Sequence, residues 1–214
     1  TIRVAGKKNV HARCVVSAQG PLANPALPNI PGIDTFGGKT IHSARWDHGY
    51  DFAGKRVAII GTGSSGVQMT PVIASVAAHL TVFQRTANYS IPAANAPVTD
   101  AEDRAVKADY PARREAARNS PSGLGFVPDN RAAIDVPEAE RNAAFETAWN
   151  RLGFGFALTF KDILLDQQSN DTASAFIRGK IAEQVDDPDL RAKLTPGDFP
   201  FGTRRPSVDS GYFT

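Results

Sequence analysis

Four apolar residues, 57–60, lead directly into the pattern G-x-G-x-x-G at positions 61–66. This order predicts a buried strand, a tight turn and the first turn of a helix, the arrangement that holds the pyrophosphate of a dinucleotide. Gly61 would permit the turn, Gly63 would let the backbone approach the phosphates, and Gly66 would let helix and strand pack closely. The predicted cofactor-binding residues of this loop are Gly61, Thr62, Gly63, Ser64, Ser65, Gly66, Val67 and Gln68.

A second strand is predicted at residues 80–84, after a helix with an apolar face that includes Val72 and Ile73 and with Pro71 as a kink. Strand, helix and strand form a β-α-β unit over about residues 56–84, so the two strands should be parallel neighbours. A doubly wound nucleotide-binding domain needs further parallel strands. Because β-like sequence returns only at 207–208 and 212–213, we expect an α/β fold with a partial Rossmann-type domain, cut from a longer protein.

The end of the second strand predicts which dinucleotide binds. NAD-binding proteins place Asp or Glu there to bind the ribose, whereas this chain has Gln84, Arg85 and Thr86. Since the guanidinium of Arg85 matches a phosphate, the site should prefer NADP, by roughly 10- to 100-fold. Thr86 is counted with it among the cofactor-binding residues. The alternative is an ordinary surface arginine at a strand end.

Composition excludes several classes of protein. The net charge is +2 over 214 residues, which argues against a nucleic-acid partner, and no long apolar run indicates a membrane segment. The single cysteine, Cys14, excludes an internal disulfide and favours a cytoplasmic location. It lies in a predicted strand at residues 10–18, where we expect it to be buried. The four histidines show no metal-ligand spacing.

Beyond residue 95 the sequence becomes helical. Thr99 should cap a helix that runs to about Asn119, and residues 135–138 should open another that runs to Gly153 with Trp149 packed in the core. Further helices are predicted at 169–185 and at 188–194, the last with Asp187 as its cap. We interpret residues 96–195 as a helical insertion.

A second motif indicates a reaction as well as a cofactor. Residues 36–47 match F-x-G-x-x-x-H-x-x-x-W-[P/D] through Phe36, Gly38, His42, Trp46 and Asp47. This pattern resembles the fingerprint of type I Baeyer–Villiger monooxygenases, class B flavoprotein monooxygenases that convert ketones to esters or lactones with FAD, NADPH and O2. Flavin monooxygenases that oxidise nitrogen or sulfur typically lack the tryptophan. By residue type alone His42 would be a loop histidine and Trp46 a packing residue; the resemblance implies that they link domains.

Three other stretches also resemble this family: residues 61–68, 83–92 and 201–206. By resemblance Arg205 is the active-site arginine, which stabilises negative charge during oxygen transfer. Arg204 stands where the family usually has lysine, which implies a contact with the 2′-phosphate of NADP beside Arg85. From charge alone, two adjacent arginines would more often be solvated surface residues.

The resemblance implies four regions: the end of an FAD-binding domain with its linker (1–34), the NADP-binding portion with the fingerprint (35–95), the insertion (96–195), and a return to the NADP-binding domain (196–214). Gln19 departs from the small hydroxyl residue common in the family near the first junction. FAD-domain sequence that function requires would be missing, so we expect the isolated chain to be inactive. The implied partners are a small ketone and O2. The alternatives are a heteroatom-oxidising flavin monooxygenase and an NADP-binding module without catalysis.

Overall fold

Residues 1–51 and 52–214 form two separate units in a computed structural model that describes residues 1–3, 6–20, 22, 24–120, 123, 127–151 and 153–214. The first unit is largely irregular. It contains an antiparallel bridge between Ile2 and Val10 and two single-turn 3-10 helices, Ile33–Thr35 and Ser43–Arg45. The second unit holds the longer helices and all four strands found in the described residues. Together they give a mixed α/β fold.

The strand predicted at residues 10–18 is wrong, and so is the burial of Cys14. A strand needs a hydrogen-bonded neighbour, and the described residues offer this segment only the bridge at Val10. Its apolar side chains lie in solvent, Val15 being 63% and Val16 89% exposed, and Cys14 is exposed as well.

The β-α-β unit is confirmed. Strand β1 (Arg56–Ile60), helix α1 (Ser64–Ala74) and strand β2 (His79–Phe83) follow in order, and the strands pair in parallel from Arg56 opposite His79 to Ile60 opposite Phe83. Burial of β1 is one-sided, contrary to expectation. Ile59 is 6% exposed but Ile60 is 60% exposed, because successive side chains point to opposite faces and only one face of this two-stranded sheet is covered.

The helix predicted from Thr99 to Asn119 is two helices, α2 (Asp100–Ala108) and α3 (Tyr110–Asn119). Thr99 caps α2 as expected: its Oγ1 accepts from the Glu102 N–H at 3.2 Å and the Glu102 carboxylate accepts from the Thr99 N–H at 2.8 Å. The break falls at Asp109 because Pro111 has no N–H to continue the helical ladder.

The remaining helices lie near their predicted positions. Helix α4 spans Glu138–Arg151, after a 3-10 turn at Ala133–Asp135, and a 3-10 segment Gly153–Leu158 follows. Helix α5 spans Gln167–Gln184, two residues ahead of its predicted start, because Asp166 is its cap. Helix α6 spans Pro188–Leu194 with Asp187 as its cap, as predicted. None of the helices in the described ranges combines the length and the apolar character needed to span a membrane.

The main core lies between the helical segment and a second sheet. Strands β3 (Ser90–Pro92) and β4 (Ser207–Asp209) pair in parallel, and they pack with α4, α5 and the Gly153–Leu158 segment. Trp149 is 8% exposed, which confirms its core role. Strand β4 was expected, but residues 212–213 form no strand: the Asp209 carboxylate accepts from the N–H groups of Gly211 and Tyr212, and this turn ends the extended backbone. Strand β3 was not predicted.

Candidate functional site

The glycine loop connects β1 to α1 and is hydrogen-bonded to the last residue of β2. Gly61 has φ +102°, a conformation that favours glycine, and its N–H donates to the Phe83 carbonyl at 2.9 Å. A Cβ on Gly66 would stand 2.2 Å from the carbonyl oxygen of Gly61, so only glycine lets α1 approach the loop this closely. Two of the three glycines are therefore required by the fold of the chain itself.

Gly63 has no such internal reason to be glycine. Its backbone is extended, with φ −77° and ψ 179°, and a Cβ there would meet no atom within 4 Å. Gly63 also precedes α1 without a side-chain cap, so the N–H groups of the first turn of α1 receive no capping side chain. Open space beside uncapped N–H groups at a helix start is suited to an anionic ligand.

Some of the other predicted loop residues are accessible near the start of α1, and others pack inside the protein. Thr62 and Ser64 are half-buried and Ser65 is exposed. The Val67 side chain is 3% exposed and belongs to the buried face of α1. Gln68 donates from Nε2 to the Val208 carbonyl at 3.4 Å, which ties α1 to β4.

The predicted coenzyme-selecting residues follow β2 directly. Arg85 is exposed and Thr86 is half-buried, two and three residues beyond Phe83, the residue that accepts from Gly61. Arg85 thus lies at the same end of the sheet as the glycine loop. Parallel strands place their carboxyl ends at one edge, where ligands of open α/β sheets bind.

The arginine pair is anchored to the same stretch of chain. Asn88 donates from Nδ2 to the main-chain carbonyl of Arg205 at 2.9 Å, and the Ser207 N–H donates to the Tyr89 carbonyl at 3.0 Å. Because the Arg205 oxygen is an acceptor, the Asn88 nitrogen must face it. The structure therefore brings Arg205 beside the segment that begins at Arg85.

Each guanidinium of the pair lies over an aromatic ring. Arg204 is 5.0 Å from the ring centre of Phe199, and Arg205 is 5.3 Å from that of Phe154. Such stacking orients an arginine while leaving its N–H donors open. Within the described residues, none of the ion pairs involves Arg85, Arg204 or Arg205, so three cations are open to an anionic ligand.

The fingerprint residues lie in the first unit, where an ion pair closes their loop. Lys39 donates from Nζ to the Asp47 carboxylate at 2.8 Å, and that carboxylate also accepts from the Gly49 N–H at 3.1 Å. The Lys39 hydrogen bond is the main cause that holds the pKa of Asp47 below its ordinary value, and the pKa of Lys39 is raised in turn. His42 accepts on Nδ1 from the Ala44 N–H at 3.0 Å.

The remaining fingerprint positions shape the same loop. A Cβ on Gly38 would stand 2.6 Å from the ring of Phe36, a residue 64% exposed, so a side chain there would displace the ring. Trp46 is half-buried. Together with Lys39, His42, Asp47 and their neighbours it lines an open cleft of about 830 Å³.

Sequence reasoning missed the side chains that hold the arginine pair. Asn88 lies inside a stretch that resembles the family, but no role was predicted for it. No motif pointed to Phe154. Asn170, Ser174 and Arg178 recur every fourth residue of α5, a polar row that could have been noticed. Within the part of the chain described, no cluster of His, Cys, Asp and Glu could hold a metal ion.

Comparison with known proteins gives a consistent family. The model for flavin-binding monooxygenase-like proteins matches residues 3–95. Over 205 residues the chain is 42% identical to a cyclohexanone 1,2-monooxygenase from Acinetobacter sp, covering 94% of this chain and 37% of that protein. Over 209 residues it is 41% identical to a Baeyer–Villiger monooxygenase from Pseudooceanicola batsensis, with 96% and 38% covered. A phenazine N-monooxygenase from Lysobacter antibioticus is 39% identical over 205 residues, with 94% and 37% covered.

Solved structures agree. An oxidised steroid monooxygenase bound to NADP superposes with a TM-score of 0.88 at 48% identity, over 92% of this chain and 38% of that one. The protein OTEMO in complex with FAD and NADP superposes with a TM-score of 0.87 at 39% identity, with the same shares covered. The chain thus spans less than two fifths of each of these five relatives.

Proposed function

Because residues 3–95 belong to the flavin-binding monooxygenase-like family and the chain is related over nearly all its length to Baeyer–Villiger monooxygenases, we propose that it is the NADP-binding part of a flavoprotein that oxidises ketones. The overall reaction is ketone + O2 + NADPH + H⁺ → ester or lactone + NADP⁺ + H2O. The observation that supports the proposal is that the glycine loop and Arg85 lie at one end of the β-α-β unit and that Asn88, three residues beyond Arg85, binds the Arg205 carbonyl.

NADP fits the residues present. The uncapped start of α1 and the space beside Gly63 would receive the pyrophosphate, and Arg85 with Arg204 would bind the 2′-phosphate through charge-assisted hydrogen bonds. In this proposal residues 56–84 are part of a Rossmann-type domain. When bound, NADPH supplies the hydride and FAD the oxygen-transfer chemistry; no described residue is assigned a contact with FAD.

Arg205 is proposed as the residue that stabilises negative charge developing on the ketone oxygen. It carries a permanent cation, stacks on Phe154, and has its main chain fixed by Asn88. A preorganised cation lowers the barrier when negative charge forms, and removal of such a group costs about 10²- to 10³-fold in rate.

The domain division stays a proposal with the boundaries 1–34, 35–95, 96–195 and 196–214. The Lys39–Asp47 pair would hold the fingerprint loop in a defined shape. A small-molecule ketone and O2 are the proposed partners. The location is proposed to be cytoplasmic, since a single cysteine leaves no internal disulfide.

A heteroatom-oxidising flavin monooxygenase is the second candidate. The similarity to a phenazine N-monooxygenase favours it, because that relative covers as much of the chain as the ketone-oxidising ones do. Trp46 in the fingerprint favours ketone oxidation. A third possibility is an NADP-binding module without catalysis.

The test is product analysis with the full-length flavoprotein that carries this chain, loaded with FAD. Cyclohexanone and methyl phenyl sulfide are supplied separately with NADPH and O2. Lactone from the ketone supports the proposal, sulfoxide without lactone supports the second candidate, and NADPH binding without either product supports the third. Arg205→Ala should lower lactone formation about 10²-fold or more, whereas Arg56→Ala at the opposite end of β1 should leave it unchanged.

A further inference from the structure

One helix holds both backbone groups of Phe201, four residues ahead of Arg205. Asn170 and Ser174 lie one turn apart on α5 and are 5% and 2% exposed. Asn170 donates from Nδ2 to the Phe201 carbonyl at 2.7 Å, while Ser174 Oγ accepts from the Phe201 N–H at 3.1 Å. Two buried side chains therefore grip the backbone of one residue, Ser174 at its N–H and Asn170 at its carbonyl.

The grip has a fixed orientation. The second Asn170 N–H donates to the Ile163 carbonyl at 2.8 Å, and Asn170 Oδ1 accepts from Ser174 Oγ at 3.0 Å. Rotating the amide by half a turn would place its oxygen against two carbonyl oxygens, so one orientation alone satisfies all partners. A fully bonded buried network of this kind holds its members rigidly.

The next turn of α5 extends the same contact. Arg178 donates from Nε to the Pro196 carbonyl at 3.1 Å, and a second guanidinium nitrogen donates to the Gly197 carbonyl. Its guanidinium lies 5.7 Å from the ring centre of Tyr89, whose hydroxyl donates to the Phe199 carbonyl at 2.9 Å. The loop that precedes the arginine pair is thus fixed along one face of α5.

Only residues 202–204 separate this grip from the next anchor. On the far side, Asn88 holds the Arg205 carbonyl and β4 begins at Ser207. A short span fixed at both ends leaves its backbone little freedom, and the contact of the Arg205 guanidinium with the Phe154 ring restricts the side chain in turn. We propose that Asn170 and Ser174 are positioning residues for Arg205, an inference that rests on the proposed oxygen transfer.

Positioning predicts a specific kinetic defect. If the cation moves by about 1 Å, oxygen transfer slows by up to 10²-fold, while NADPH oxidation needs no ketone and proceeds. The unused oxygen then leaves as peroxide by NADPH + H⁺ + O2 → NADP⁺ + H2O2. The amount of ester formed per NADPH consumed should fall. The amount of hydrogen peroxide formed per NADPH consumed should rise correspondingly. Partial unfolding lowers the active fraction but does not change this ratio.

The positioning role is tested by comparing substitutions at two buried serines of α5. Ser174→Ala removes the contact with Phe201, whereas Ser169→Ala removes an equally buried hydroxyl of the same helix, 0% exposed, that donates to Asp162 at 2.5 Å. Both variants are made in the full-length flavoprotein, with Arg205→Ala as reference. We expect Ser174→Ala to lower the ester-to-NADPH ratio about tenfold. Ser169→Ala should keep the wild-type ratio.

The two proposals fail in different ways. No ester from the wild-type protein, or an unchanged ratio for Arg205→Ala, overturns the proposed function. A wild-type ratio for Ser174→Ala beside a lowered ratio for Arg205→Ala overturns the positioning role alone. A ratio lowered equally in Ser169→Ala also overturns it, since buried hydroxyls of α5 would then act without contacting the arginine segment.

Discussion

Asn88 holds the main-chain carbonyl of Arg205 with its side-chain amide, at a distance of 2.9 Å. Asn88 stands only three residues after Arg85, so the residue proposed to choose the coenzyme and the residue proposed to act on the substrate are connected through a single hydrogen bond and a short stretch of backbone. A shift of the chain at one of them is transmitted to the other.

Asn88→Ala should lower the free energy of unfolding by about 1 kcal/mol, since it removes this bond and leaves the Arg205 carbonyl without it. Urea unfolding followed by circular dichroism measures the change. Asn150→Ala is the control, because the Asn150 amide is exposed and bonds only within its own helix, to Glu146. Equal effects of the two substitutions would contradict a structural role for the Asn88 bond.

Two glycines of the loop should respond differently to alanine. Gly66→Ala brings a methyl group to 2.2 Å from the Gly61 carbonyl oxygen and should cost about 1–3 kcal/mol of stability. Gly63→Ala meets no atom within 4 Å and should leave stability unchanged, yet weaken NADP⁺ binding about tenfold by filling the space beside the start of α1. Thermal unfolding and calorimetric titration with NADP⁺ separate the two effects. Unimpaired binding by Gly63→Ala would argue against a pyrophosphate site there.

Arg85→Ala should reduce the preference for NADPH over NADH by roughly 10- to 100-fold, because it removes charge-assisted hydrogen bonds to the 2′-phosphate. The ratio of kcat/KM for the two coenzymes in the full-length protein measures it. Arg56→Ala provides the control, as Arg56 begins β1 at the end away from the glycine loop. Equal turnover of the wild type with NADH and NADPH would refute the role.

Sequence patterns were reliable where local chemistry determines the structure. The glycine spacing predicted the β-α-β unit, and capping residues Thr99 and Asp187 begin their helices because each satisfies free N–H groups within three residues. Prediction failed where the structure of a segment depends on whether another strand pairs with it. Residues 10–18 have strand composition, but among the described residues only Val10 has a pairing partner, Ile2. Strand β3 contains Pro92, a residue that argues against a strand in sequence, and it forms because β4 pairs with it.

The candidate site divides in the same way. The cationic and glycine positions could be proposed from sequence because their residue types suit phosphate. The sequence does not show which backbone groups Asn88 and Ser174 bind, because the partners are 117 and 27 positions away and any residue could stand there. Only the fold shows such contacts.

Acid should open the fingerprint loop. The Lys39 ammonium and the Gly49 N–H lower the pKa of Asp47, so the ion pair stabilises the loop fully above the unfolded pKa, near 3.9, and this contribution is lost as the pH falls through the lower folded value. An NMR titration of the Asp47 carboxyl carbon should give a pKa below that of an ordinary aspartate, and Lys39→Met should raise it. Lys55→Met should leave it in place. An ordinary pKa in the wild type would contradict the ion pair.

The pairing of β3 with β4 also determines when the arginine segment can form during synthesis. Ser90 and Ser207, register partners in this sheet, are separated by 117 residues, and the helices between them supply the core on which the sheet rests. Contacts so distant in sequence cost more loop-closure entropy and form slowly. On the ribosome, Arg204 and Arg205 therefore emerge before their anchors can close. The β-α-β unit and the helices can assemble first, and the arginine segment can dock on them afterwards.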